Sequence, residues 1–299
     1  MTTNWRTDLE VTLGGVQLRA MERAVSFAAR LEIARTDDGV VYTSRPGRRG
    51  LPVTCVHGFG GDKEAWILMA AMMPRARGVA AIDLLGHGAS IDVPVDRASV
   101  RHQAEAVLRV MDHAGIDRTI VVGNSMGGGI ALRLAQSYPA RVAGLVLVAS
   151  VGRDIHESAA QSWVDGENPL IPRVEDVDKF MAIALERPPP VGKAVIRHVI
   201  MQRAKKADQL HRLFKGFMTN GDEPNGVPRD LAQITCPALV IHGEQDRIIS
   251  KEVGLDLVAA LPRSELVVLR GVGHGPHLEA PRMMGRILER FAERVERST

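Results

Sequence analysis

The sequence predicts an α/β protein with a mostly parallel central sheet, helices on both faces and an inserted helical cap. Three observations lead there. Solid apolar strands alternate with helical patterns up to residue 150, the alternation stops over 151–230, and it resumes from 231 to the end. Apolar runs without in-and-out alternation suit strands covered on both faces, and strand–helix alternation is how a chain builds parallel neighbours.

Each element follows from local pattern. Residues 1–30 form an extension in which LRAMERAVSFAAR (18–30) carries apolar positions at helical spacing and predicts a short amphipathic helix. LEIART and VVYTS flank Asp37-Asp38-Gly39 and predict a hairpin. LPVTCV is a buried strand, followed by a helix in DKEAWILMAAMM that Asp62 is placed to cap. GVAAID is a strand, and SVRHQAEAVLRVMDHAG is a helix that stops at a glycine. RTIVVG, SMGGGIALRLAQSY and VAGLVLVAS then read strand, helix, strand. Residues 151–230 hold no strong strand, only helical patterns broken by Pro169, Pro172 and Pro188-Pro189-Pro190. They predict a helical cap inserted into one core, 31–150 and 231–299. The core closes with PALVIHG, a helix near 250–261, ELVVLR and a terminal helix from about 279.

Composition narrows the function. A net charge of +3 and 4% aromatics, with no basic stripe interleaved by aromatics, argue against nucleic acid. No apolar run reaches the ~18 residues of a membrane span, and MTTNWRTDLE has neither the basic nor the apolar region of a secretory signal. The expectation is a cytoplasmic protein. Cys55 and Cys236 both sit in strand-like runs and predict buried free thiols rather than a disulfide framework.

The chemistry-bearing motif is Gly123-Asn124-Ser125-Met126-Gly127, directly after a strand and opening a helix. This is the strand–turn–helix context in which a G-x-S-x-G turn lifts a serine above the sheet. A serine hydroxyl needs a base, and the base needs an orienting carboxylate. Both are expected later in the chain, acid before histidine. Asp246 follows the strand PALVIHG, and His274 lies in the glycine loop after ELVVLR. Strand carboxyl ends share one rim, so the three residues are expected to meet. Glu244 competes for the acid role and His277 for the base. His57, His87 and His242 also lie near strand ends, but precede the acid. The loop His57-Gly58-Phe59-Gly60-Gly61 offers the Phe59 N–H, and Met126 offers a second, for an oxyanion hole. His57 reads as a residue holding that loop, and Asp83-Leu84-Leu85-Gly86-His87-Gly88 as a structural turn beneath the rim.

These motifs resemble the α/β-hydrolase superfamily over nearly the whole chain from about residue 31. HGFGGDKEAW, DLLGHG, GNSMGG and the cap stretch NPLIPRVEDVDKFM are similar to the bacterial family V lipases and monoacylglycerol-lipase-like serine hydrolases. The resemblance implies carboxylic ester hydrolysis with no metal and no organic cofactor. Relatives with an aspartate nucleophile differ at Ser125. The carbon–carbon hydrolases of aromatic ring cleavage share GNSMGG but usually carry tryptophan where this chain has Gly275. A binding protein that lost turnover is the alternative from another class.

The cap carries apolar rows at helical spacing: Val195 with Val199, Ile196 with Ile200, and Leu210, Leu213, Phe214 and Phe217. Such rows serve ordinary packing or line a pocket for a small apolar ester. Residues 187–215 are also basic, with Arg187, Lys193, Arg197, Arg203, Lys205, Lys206, Arg212 and Lys215 against Asp208 alone. A solvated helix face is one reading, and contact with an anionic lipid surface or acidic substrate is the other.

Overall fold

The computed structural model describes residues 5–90, 99–152, 168, 170, 171, 173, 177–187, 193–219 and 227–298. The cap prolines 169, 172 and 188–190 lie outside the described residues.

Eight strands form one sheet: β1 (Glu32–Arg35), β2 (Val41–Arg45), β3 (Val53–Val56), β4 (Val79–Ile82), β5 (Thr119–Asn124), β6 (Val142–Val148), β7 (Ala238–Gly243) and β8 (Ser264–Leu269). Their order is β1-β2-β4-β3-β5-β6-β7-β8. The β1–β2 hairpin joins β4 antiparallel, and all later pairings are parallel.

The apolar runs are solid because the inner strands, β3 to β7, feed two cores. On β5, Val121 enters one cluster while Ile120 and Val122 enter the other; Leu145 and Leu147 oppose Val146 and Val148 on β6 in the same way. Helices α3 (Val100–His113) and α4 (Met126–Ser137) cover the first face through Val107, Val110, Ile130 and Leu134. The second is covered by α2 (Ile67–Met72) and the terminal helix Pro281–Ser298, through Met69, Leu288, Phe291 and Val295. The predicted helix after β3 opens as a 3₁₀ turn, Lys63–Trp66, and Asp62 at its start makes no side-chain cap bond.

Two further expectations change. The N-terminal helix, α1, runs Trp5–Ala29, well before residue 18. Its early turns hold Gly14 and Gly15, poor residues for an isolated helix. Here they are close-contact residues: a Cβ at Gly14 would overlap Ala194 O, and one at Gly15 would overlap the His198 ring. Both partners lie on a cap helix (Lys193–Ala204), so tertiary packing extends α1 beyond what periodicity shows. The cap rows also part company. Leu210, Leu213, Phe214 and Phe217, on Ala207–Thr219, join the core of the first face. Phe180, Ile196 and Ile200 form a small cluster within the cap. In chain order the remaining helices are α5 (Val177–Ala184), α6 (Lys193–Ala204), α7 (Ala207–Thr219), α8 (Lys251–Ala260), α9 (Pro276–Glu279) and α10 (Pro281–Ser298).

The turn after β4 supports the site from below. Asp83, wholly buried, accepts from Lys63 N (2.8 Å), Lys63 Nζ (3.0 Å) and Ala89 N (2.9 Å). Gly86 and Gly88 take left-handed φ of 77° and 52° there. Removing one partner of a buried pair leaves the other charge uncompensated. Asp83→Ala is therefore expected to lower the unfolding free energy by about 3–5 kcal/mol, read from urea denaturation; an unchanged midpoint would show the pair to be energetically idle.

Candidate active site

Ser125 stands between β5 and α4 with φ 54° and ψ −121°. A left-handed φ in a non-glycine residue is strained, and its surroundings must hold it. Its N–H donates to Val148 O (3.0 Å), and its carbonyl accepts from Gly128 N (2.9 Å) and Val151 N (3.2 Å). Glycine is demanded on both sides. A Cβ at Gly123 would overlap Gly127 O, one at Gly127 would overlap Val56 O, and one at Gly128 would overlap Ser150 Oγ.

Asp246 and His274 come together on the neighbouring strand ends. His274 Nδ1–H donates to Asp246 Oδ2 (2.8 Å), while Asp246 Oδ1 accepts from Ile248 N (2.8 Å) and Ile249 N (3.0 Å). Burial would raise the Asp246 pKa, but the His274 ring and hydrogen bonds from His242, His274 and Ile249 outweigh it and hold the carboxyl well below the usual range. With Nδ1 committed as a donor, the neutral ring keeps a lone pair on Nε2. Ser125 and His274 line one cavity, and Asn124 Nδ2 reaches His274 O (3.4 Å). Glu244 is exposed and bonds only its neighbour Gln245 among the described side chains. His277 is buried against Trp66, ring centroids 4.2 Å apart.

The loop after β3 reaches the same cavity. A Cβ at Gly58 would lie 2.9 Å from Asn124 Oδ1 and 3.1 Å from Ser125 Cβ, so a larger residue would push the loop away from the serine turn. His57 Nδ1–H donates to Gly58 O (2.7 Å) and its Nε2 accepts from Leu84 N (3.1 Å), so it holds the loop as expected. Met126 opens α4, so its N–H has no acceptor within the helix. The cavity, about 260 Å³, also receives Val195, Ile196, Val199 and Ile200 of α6. Among the described residues no cluster of three or more His, Cys, Asp or Glu has metal-holding geometry. Cys55 is fully buried and free; Cys236 is free but only partly buried.

Six residues contribute in ways that escaped the sequence reading. His242 Nε2 lies 3.4 Å from Asp246 Oδ2 and 2.8 Å from Ile249 O, steadying the acid; its only signal was spacing four before Asp246. Glu279 accepts from Gly273 N (3.0 Å) and Gly275 N (3.1 Å) on either side of His274, and from Glu186 N and Arg187 N of the cap (2.9 Å each). Leu18, Met21 and Glu22 of α1 wall the cavity. Arg203, one of the basic cap residues, turns into it rather than to solvent.

Fold and site place the chain in a known class. It belongs to the alpha/beta hydrolase family, whose sequence model matches residues 55–284. It is 29% identical to Lipase 1 of Psychrobacter immobilis, over 81% of this chain and 77% of that protein. It is 31% identical to 2-hydroxymuconate semialdehyde hydrolase of Pseudomonas putida, over 81% of this chain and 87% of the other. It is 30% identical, over 82% of this chain, to the dihydrolipoyllysine-residue acetyltransferase component of an acetoin cleaving system from Pseudomonas putida, of which it spans 64% of the length. A crystal structure of a membrane phospholipase A superposes with TM-score 0.80 at 26% identity, over 95% of this chain and 92% of that one. These relatives thus include a lipase, a phospholipase A, a semialdehyde hydrolase and an acetyltransferase component. Among the described residues no helix is long and apolar enough to cross a membrane.

The buried histidines make stability pH-dependent. Burial lowers the pKa of His57 to about 4 and of His87 and His277 to about 3. Below the unfolded value of about 6.5 the unfolded chain therefore binds more protons, and stability falls as pH falls. Glu22, Asp62 and Glu64 run the opposite way. Burial raises them to about 7, 6 and 7, so the folded chain binds more protons between the ordinary carboxylate range and those values. The contribution of one histidine is isolated by difference. His277→Phe, which keeps a ring on Trp66, is expected to lower the slope of unfolding free energy against pH at pH 5 by about one proton, roughly 1.4 kcal/mol per pH unit. Equal slopes would mean that His277 is protonated in the folded protein.

Proposed function

We propose that this chain is a serine hydrolase of carboxylic esters, acting on short or medium acyl esters or monoacylglycerols through an acyl-enzyme. Ser125 is the nucleophile, His274 the base, and Asp246 the group that orients it. The observation that carries this reading is Ser125, held in a strained left-handed turn, in one apolar cavity with a histidine whose Nδ1 is occupied by a buried carboxylate. His274 Nε2 takes the Ser125 proton as Oγ attacks the ester carbonyl. The oxyanion forms against the Phe59 and Met126 N–H groups, and the alcohol leaves with the proton from Nε2. Water repeats the sequence on the acyl-serine and releases the acid. Such donors are worth about 2.7–4 kcal/mol each in the transition state.

The apolar wall of Val195, Ile196, Val199 and Ile200 supports an acyl substrate. Each buried methylene adds about 0.8 kcal/mol, roughly fourfold in affinity, until the pocket is full. Exposed Lys205, Lys206 and Arg212 support peripheral contact with an anionic lipid surface. A second reading, cleavage of a carbon–carbon bond in a dienoic keto acid, draws on the 31% identity to the semialdehyde hydrolase. Gly275 after the histidine weighs against it.

Ser125→Ala is expected to abolish ester hydrolysis while the melting temperature holds, and Asp246→Asn to lower kcat by orders of magnitude with Glu244→Gln nearly silent. A folded, active Ser125→Ala protein would end the reading. With p-nitrophenyl esters of rising chain length, kcat/KM should climb and then fall; a flat profile removes the acyl pocket. Turnover of a dienoic keto acid above that of every ester would favour the second reading. Salt should depress kcat/KM for anionic vesicle-borne esters and leave neutral soluble esters unaffected; an equal response removes the lipid contact.

A further inference from the structure

The basic cap stretch reads as a solvated helix face, yet Arg203 on α6 does not behave as part of one. Its guanidinium donates from Nη2 to the carbonyl of Phe59. It lies against Gly60, where an added Cβ would overlap the guanidinium, and Cζ sits 5.1 Å from the centre of the Phe180 ring. Arg203 Nε is buried and has no acceptor among the described residues. Holding a charge here needs a return, and the contact with Phe59 O indicates what it is.

The loop around Phe59 is fixed plane by plane. Gly58 O accepts from His57 Nδ1 (2.7 Å) and Gly61 N (3.0 Å). In a trans peptide the N–H points opposite the carbonyl, so these bonds orient the Phe59 N–H away from His57. That sets the plane before Phe59. The plane after it, where Gly60 takes a left-handed φ of 67°, is held by Arg203. The Phe59 ring is anchored in the core, edge-on to Phe214 (5.3 Å) and His87 (5.7 Å). Core, loop and cap thus fix three different parts of one residue.

We propose that Arg203 is a positioning residue for the hydrolysis argued above: carried on the cap, it clamps the carbonyl side of Phe59 and so completes the oxyanion loop only while the cap is seated. This inference rests on the serine-hydrolase reading. Burial lowers the Arg203 pKa to about 10, with Asp62 opposing the shift, so the group is cationic at neutral pH. A misplaced donor costs rate rather than affinity, because the oxyanion exists only in the transition state.

The test measures kcat and KM for p-nitrophenyl butyrate, the rate of Ser125 labelling by a fluorophosphonate, and the melting temperature, in wild type, Arg203→Gln, Arg203→Lys and Arg203→Ala. Arg203→Gln is expected to lose about 10- to 100-fold in kcat, with KM within about twofold, and to label more slowly by a similar factor. Arg203→Lys should fall between. Guanidinium, at concentrations that leave the melting temperature unchanged, should restore part of the Arg203→Ala rate. A wild-type kcat in Arg203→Gln overturns the proposal. So does a raised KM with kcat intact, which would make Arg203 a substrate-binding cation, and so does loss of rate that neither lysine nor guanidinium restores. If wild type itself is not labelled at Ser125, the hydrolase reading fails first, a result distinct from labelling that is equal in wild type and Arg203→Gln.

Discussion

The structure depends on one backbone constraint: the turn at Ser125 holds a conformation that serine does not choose. Strain of this kind costs on the order of 1–3 kcal/mol and survives only when neighbours over-determine it. Here β6 supplies the acceptor Val148 O, and the segment after it supplies the donor Val151 N. Backbone oxygens of residues 56 and 127 crowd the positions where side chains would otherwise stand. The approach of α4 to β3 and β6 is therefore set by the same few contacts that present the hydroxyl. Fold and site are here a single piece of geometry.

The rim loops, by contrast, are not self-supporting. The loop of His274 is bonded to Glu279 on both sides, and the same carboxylate binds two cap N–H groups. His274 N donates to Ala184 O, at the end of α5 (3.1 Å). Arg203 makes the corresponding tie on the opposite loop. The cap thus roofs the cavity and also braces the two loops on which a reaction at Ser125 would draw.

Legibility in the sequence followed the range of the interactions. Strands β3 to β7 were readable because double-sided burial writes continuous apolar runs, and the serine turn was readable because its steric demands fall on adjacent residues. Asp246 and His274 were reachable through chain order and strand ends. What stayed hidden depends on partners far away in sequence. Gly14 and Gly15 argue against a helix until Ala194 and His198 are seen beside them. Arg203 is indistinguishable from Lys205 or Lys206 until its direction is known. His242 is excluded as a base by chain order, and that rule is blind to its service to Asp246. Of the three apolar rows in the cap, the two on α6 face the cavity and the one on α7 faces the core, and period alone does not separate them.

The crossing of α1 over α6 has a consequence for assembly. Its contacts join residues about 180 positions apart, so docking α1 closes one of the longest loops in the chain. The entropy of a closure this long must be met before its contacts reward it, so it follows the local pairings. The wall bearing Leu18 and Met21 is thus made early on the ribosome yet seated late in folding. That side of the cavity stays open until synthesis has reached α6, about 180 positions on.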